Sequence, residues 1–179
     1  MKVFISGGSK SGKTAYAEKM AIEMRKMSAP MYYIATMIPI DDEDNARIEK
    51  HQNDRYGRGF ETIEAGRNIL EAIKVCEKNA TCLLDSVTAL LANEIFTNDG
   101  SVDTKAAGRV GGELLQILAN YDDIVIVSDN IYSDAFIYDD ATELYRRELA
   151  KICKQIAGAC DLVLEVFVGM IIAHKDEKE

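Results

Sequence analysis

Residues 7–14 read GGSKSGKT, and these eight residues constrain the fold more than any other stretch of the chain. Gly7, four intervening residues and then Gly12-Lys13-Thr14 fit G-x-x-x-x-G-K-[ST], a loop whose backbone N–H groups wrap a phosphate. Such a loop works only between a strand and a helix. The context supplies both, because the apolar run KVFIS (2–6) precedes it and the amphipathic GKTAYAEKMAIEMRKM (12–27) follows. Gly7, Gly8 and Gly12 allow the backbone to curl, with Ser9, Lys10 and Ser11 completing the loop. The helix N-terminus adds partial positive charge. Lys13 is placed to reach the outer phosphates, and Thr14 offers a hydroxyl to Mg²⁺.

The remainder of the chain alternates apolar runs with helical patterns. Strands are expected at 31–36, 60–64, 81–85 and 123–128. Helices are expected at 41–55, 67–78, 86–96, 105–121 (weakened by Gly111 and Gly112) and 140–160, and one or two closing strands within 161–174. With the phosphate loop, this order predicts an α/β, P-loop NTPase-like fold, a mainly parallel sheet flanked by helices. The 179 residues suit one domain, 1–179, and 47% hydrophobic content is enough for a sizeable core. A net charge of −9 argues against a nucleic-acid partner, so a phosphate ligand must meet locally concentrated cations. No apolar run suits a signal peptide or a membrane span. Cys76, Cys82, Cys153 and Cys160 contain no C-x-x-C pair and read as buried thiols of a reducing cytoplasm.

Two further features carry chemistry. TCLLD (81–85) ends a strand on Asp85, where a carboxylate can hold Mg²⁺ or cap the next helix; the residues leave both open. Asp123 begins its strand and is the weaker candidate. In ARIEKHQNDR (46–55), Arg47, His51 and Arg55 recur at i, i+4 and i+8, which makes one stripe on a helix. Two guanidinium groups beside an imidazole can clamp phosphate while the ring attacks phosphorus or takes a proton. The same spacing also suits a solvated face with ion pairs such as Arg47 to Glu43. The other histidine, His174, falls in the polar tail and is assigned no role.

Taken together in order and spacing, GGSKSGKT, YIAT (33–36), RIEKHQNDR (47–55), TIE (62–64) and LLDSVTALLAN (83–93) resemble the adenosylcobinamide kinase / adenosylcobinamide-phosphate guanylyltransferase family over nearly the whole chain. The resemblance implies a two-step enzyme of cobalamin assembly. It phosphorylates the corrinoid adenosylcobinamide with a nucleoside triphosphate, ATP or GTP. It then transfers GMP from GTP to that phosphate through a guanylylated histidine, the position matched by His51. Lys13 is the other catalytic residue implied. Nucleotide contacts are implied for the loop residues, for Ala35, Thr36 and Met37, for Gln52, Asn53, Asp54 and Arg55, and for Glu64 and Asp85, and the helical stripe adds Arg47 as a nucleotide-binding candidate. Mg²⁺ would rest on Thr14 and Asp85. A homo-oligomer is implied, with a trimer as one form open to it and the active site near a subunit boundary.

The pattern breaks in the C-terminal half. After DIVIVS the family shows an Asn-Glu-Val-Gly run, and this chain has DNIYSDAFIYDD (129–140). Arg147, Cys153 and Lys154 stand where Asp, Asn and Gln are expected, and Tyr56 replaces a proline. The nucleotide half is kept while the acceptor half has drifted. Altered corrinoid contacts, loss of one activity, a kinase for another small alcohol and a non-enzymatic paralogue all remain open on the residues alone. The acids of that stretch, Asp129, Asp134, Asp139 and Asp140, read either as a loop that repels phosphate and suits an amide-bearing ligand or as a solvated surface loop with no ligand.

Overall fold

The computed structural model describes residues 1–97, 99–132 and 134–176, apart from the side chains of Arg47 and Asp54. Its elements, in chain order, are β1 (Lys2–Gly7), α1 (Lys13–Met24), β2 (Met31–Ala35), α2 (Asp42–Arg55), β3 (Phe60–Glu64), α3 (Ile69–Ala72), β4 (Thr81–Asp85), α4 (Val87–Ile95), α5 (Ala106–Asn120), β5 (Asp123–Asp129), α6 (Asp140–Ala159), β6 (Leu162–Phe167) and β7 (Met170–Asp176). Among the described residues these strands form one sheet in the order β3-β2-β4-β5-β1-β6-β7. All pairings are parallel except the last, where β6 and β7 close an antiparallel hairpin. Parallel neighbours require crossovers, and the helices supply them on both faces.

Alternation within the central strands sorts the two cores. Phe4, Ile34, Leu84 and Ile126 point to one face and pack with α3, α4, α5 and α6. Val3, Ile5, Tyr33, Leu83 and Val127 point to the other, against Ala17 and Ala21 of α1. Both faces are covered, so β1, β2, β4 and β5 are apolar nearly throughout. β4, which bears Asp85, is separated from the phosphate-loop strand β1 by β5. The C-terminal ends of β1, β2, β4 and β5 open on the same edge, the usual ligand edge of such sheets.

Two expected helices are shorter than their sequence pattern. The stretch 67–78 is helical only at Ile69–Ala72, followed by a 3₁₀ turn at Ile73–Val75. The buried Tyr121 hydroxyl donates to the carbonyls of Ile73 (2.7 Å) and Cys76 (3.3 Å), so these groups are satisfied without further helix. α1 stops at Met24, and Arg25 turns to donate from Nε to the Ala29 carbonyl at 2.7 Å. His174 lies in strand β7, not in a polar tail, with Nε2 2.9 Å from Glu165 Oε2. The four cysteines are free and buried.

Tyr121→Phe should test the capture of those carbonyls. The Ile73 carbonyl keeps the Cys76 N–H at 3.0 Å, so the variant loses only the hydroxyl's own bonds, and urea unfolding should show a loss of about 0.5–1.5 kcal/mol.

Candidate active site

The site grows from the end of β1. Gly7 cannot be replaced without displacement, because a Cβ there would lie 2.6 Å from the Val166 carbonyl oxygen and 2.8 Å from Ser11 Oγ. Gly12 turns the chain into α1 at φ +93°. The first turn of α1 has no side-chain cap and no acid, whereas α2, α4 and α6 are capped by Asp41, Ser86 and Asp139. The N–H groups of α1 therefore remain available to an anion. Ser11 Oγ is buried with no hydrogen-bond partner. Gly8, Ser9 and Lys10 form the exposed rim of the loop. The Lys13 side chain is only 9% exposed; its Nζ donates to the Gly8 carbonyl at 3.1 Å and pairs with Asp129 Oδ1 at 2.5 Å.

Opposite the lysine, one carboxylate oxygen gathers two hydroxyls. Thr14 Oγ1 donates to Asp85 Oδ2 at 3.0 Å, and the Tyr33 hydroxyl donates to the same atom at 2.7 Å. Burial, and then the neighbouring Asp85 charge, push the Tyr33 pKa far up, so it remains a donor. Asp85 does not cap α4; Ser86 does, accepting from the Ala89 N–H at 3.3 Å. Thr14 and Asp85 thus present two hard oxygen donors at the foot of the phosphate loop. This suits Mg²⁺, which takes few protein ligands and completes its shell with phosphate and water.

Helix α2 forms the third side. Its residues Ile48, His51, Gln52 and Arg55 share one face and line a cavity of about 290 Å³ with Lys13, Thr14 and Asp85. Arg55 is not on a solvated face: it is 6% exposed, and its guanidinium carbon lies 3.5 Å from the centre of the Tyr33 ring. Its Nε and Nη1 have no hydrogen-bond partner. Donors on a buried cation are costly to leave unused, so their position beside an open cavity points to an anionic ligand. His51 is half-buried on the same wall.

Ala35, Met37 and Glu64 also line the cavity. Thr36 does not: it is fully buried, and its hydroxyl donates to the Ser86 carbonyl at 2.8 Å and accepts the Ser86 N–H at 2.7 Å. It fastens the end of β2 to the start of α4. Asn53 is exposed and not part of the lining. Arg47 and Asp54 lie outside the residues whose side chains are described. Asp123 is at the far end of the sheet, paired with the Met1 amino group (2.7 Å) and Lys26 (2.6 Å).

Sequence reasoning missed Tyr33, Thr88, Tyr145 and above all Asp129 in this lining. Asp129 is not a loop acid. It is the last residue of β5, in register with Gly7. The signal was present, since an acid closes DIVIVSD as one closes TCLLD. Asp134 and Asp139 have structural partners. Asp134 Oδ1 pairs with Arg146 Nη2 at 2.7 Å, and Asp139 caps α6 through the N–H groups of Ala141 (3.1 Å) and Thr142 (3.0 Å).

The family model described as cobinamide kinase / cobinamide phosphate guanyltransferase matches residues 3–173. The bifunctional adenosylcobalamin biosynthesis protein CobU of Escherichia coli K12 is 34% identical over 104 residues, 58% of this chain and 55% of that protein. CobU of Salmonella typhimurium is 25% identical across 98% of this chain and 100% of its own length. CobP of Pseudomonas aeruginosa is 27% identical, across 99% of each. Among solved structures, the flagellar accessory protein FlaH of Methanocaldococcus jannaschii superposes with a TM-score of 0.52 at 14% identity, covering 97% of this chain and 77% of that one. A second solved structure, an ATPase domain, superposes with a TM-score of 0.55 at 12% identity, covering 97% and 76%. At such identities these two establish the fold alone, a P-loop NTPase-like one. With its phosphate loop, its Asp85 cluster and a family match that runs almost from end to end, the chain belongs to the cobinamide kinase / cobinamide phosphate guanyltransferase family.

Proposed function

We propose that this protein phosphorylates adenosylcobinamide with a nucleoside triphosphate and then transfers GMP from GTP to the product through a guanylylated His51, in cobalamin biosynthesis. The observation that carries this is the shared cavity. His51 and the unused donors of Arg55 face Lys13, Thr14 and Asp85 across one space. In the first step, the acceptor hydroxyl loses its proton and bonds to the terminal phosphorus, and the nucleoside diphosphate leaves with the bridging oxygen, while Lys13 and the first-turn N–H groups of α1 hold the outer phosphates. In the second, a neutral ring nitrogen of His51 attacks the α-phosphorus of GTP and pyrophosphate departs. The phosphate on the corrinoid then attacks the phosphoramidate, and the P–N bond breaks. Arg55 holds the oxygens of the transferred group, a reading supported by its two unused donors beside the cavity. Mg²⁺, held by Thr14 and Asp85, would neutralise phosphate charge.

Among the described residues no helix is long and apolar enough to cross a membrane. We assign the protein to the cytoplasm, as one domain in a homo-oligomer, on the strength of the family resemblance.

Intact mass after incubation with GTP and Mg²⁺ should reveal a GMP adduct that is lost on acid treatment and missing in His51→Asn. Absence of the adduct in wild-type protein that binds GTP would refute guanylyl transfer and leave a plain kinase. Lys13→Ala and Arg55→Ala should each weaken GTP binding by roughly ten- to a hundredfold in calorimetry, the worth of a charge-assisted hydrogen bond. Unchanged affinity in both would remove these cations from the site. In a two-substrate assay, phosphorylated and GDP-linked corrinoids should both appear. A guanylylated His51 without either product would mean a different acceptor.

A further inference from the structure

The 2.5 Å pairing of Lys13 with Asp129 takes no part in the two proposed steps. The lysine is nearly buried, and an ammonium without a partner there would be costly. Asp129 is therefore its counter-ion. Its backbone is fixed at the end of β5, with the N–H donating to Thr88 Oγ1 at 2.7 Å. Register places it beside Gly7, the first residue of the loop. The carboxylate thus occupies the ammonium that a loop of this motif directs at the outer phosphates of a nucleotide. Asp85, by contrast, already accepts from Thr14 and Tyr33 and lies one strand further from the loop.

We infer that Asp129 occupies, in the nucleotide-free protein, the place on Lys13 that the terminal phosphate takes in the loaded one, and that the displaced carboxylate then receives the proton of the attacking hydroxyl. Nucleotide binding is thus an exchange of anions on Lys13. In the transfer, the hydroxyl oxygen bonds to the terminal phosphorus, and the bond from that phosphorus to the bridging oxygen breaks. Its electron pair leaves with the nucleoside diphosphate, and the hydroxyl proton passes to Asp129 and on to solvent. The inference takes only the identity of the acceptor from the function proposed above, and water can stand in for that acceptor.

The test compares wild type, Asp129→Asn and Asp129→Glu. Asparagine keeps the shape and removes the charge, so Lys13 lacks a counter-ion before binding and the phosphate meets no repulsion when bound. Asp129→Asn should bind a non-hydrolysable ATP analogue at least about tenfold more tightly, as expected for loss of a competing charged partner. It should hydrolyse ATP with water at least about a hundredfold more slowly, the range of a lost general base. Asp129→Glu, which restores a carboxylate, should regain part of that rate. Structural damage would weaken binding, and loss of a metal ligand would do the same with Mg²⁺ present. Equal or weaker binding by Asp129→Asn overturns the inference, and so does a hydrolysis rate within about threefold of wild type. A parallel reaction with adenosylcobinamide isolates the acceptor question. Wild-type protein that hydrolyses ATP but leaves the corrinoid unphosphorylated refutes the acceptor, while the Asp129 variants still decide the role of that residue.

Discussion

A single carboxylate oxygen holds the site together. Asp85 Oδ2 accepts from Thr14 on the phosphate-loop helix and from Tyr33 on the neighbouring strand, and the Tyr33 ring carries the guanidinium of Arg55. Through this chain of contacts the loop, the sheet and the His51 helix share one reference point. Each link is short and mostly screened from water, so none is weakened as an exposed ion pair would be. The arrangement brings a histidine on α2 within the same cavity as a phosphate loop more than thirty residues earlier in sequence.

Electrostatics explains how an acidic chain can suit polyphosphate. A net charge of −9 is spread over the surface, while the cavity concentrates Lys13, the Arg55 guanidinium and an uncapped helix N-terminus. Local donors in a partly enclosed space outweigh distant charges that salt screens. The acids that remain inside, Asp85, Asp129 and Glu64, have different settings. Asp85 is held by hydroxyls, Asp129 by a lysine, and Glu64 lies exposed at the end of β3.

Arg146 shows a different use of charge. It is 7% exposed, donates from Nε to the Ile131 carbonyl at 3.0 Å, and pairs with Asp134 and Glu143 at 2.7 Å each. It also lies over the Tyr138 ring. One buried guanidinium therefore organises the irregular stretch between β5 and α6. Asp134 is taken up by this arginine and Asp139 by the cap of α6, so the acidity of this stretch says little about an acceptor.

The alternation of elements, the phosphate loop, and the positions of Asp85 and His51 were legible because each rests on a local rule: strand–loop–helix context, an acid at a strand end, or spacing on a helix face. The burial of Arg55 was not, since i, i+4 spacing describes a stripe without saying whether protein or water covers it. Nor was the role of Asp129, because residues after an apolar run read as loop until register shows that the strand continues. Thr36 fell inside a matched motif, yet its hydroxyl turns inward to Ser86, a choice made by the packing of β2 against α4. The sequence by itself determined the fold class, the phosphate loop and the face of α2 that bears His51, because those depend on neighbours within one or two turns. Only the tertiary structure decided which polar groups meet, Lys13 with Asp129 and Tyr33 with Asp85, because those pairs join residues 116 and 52 positions apart.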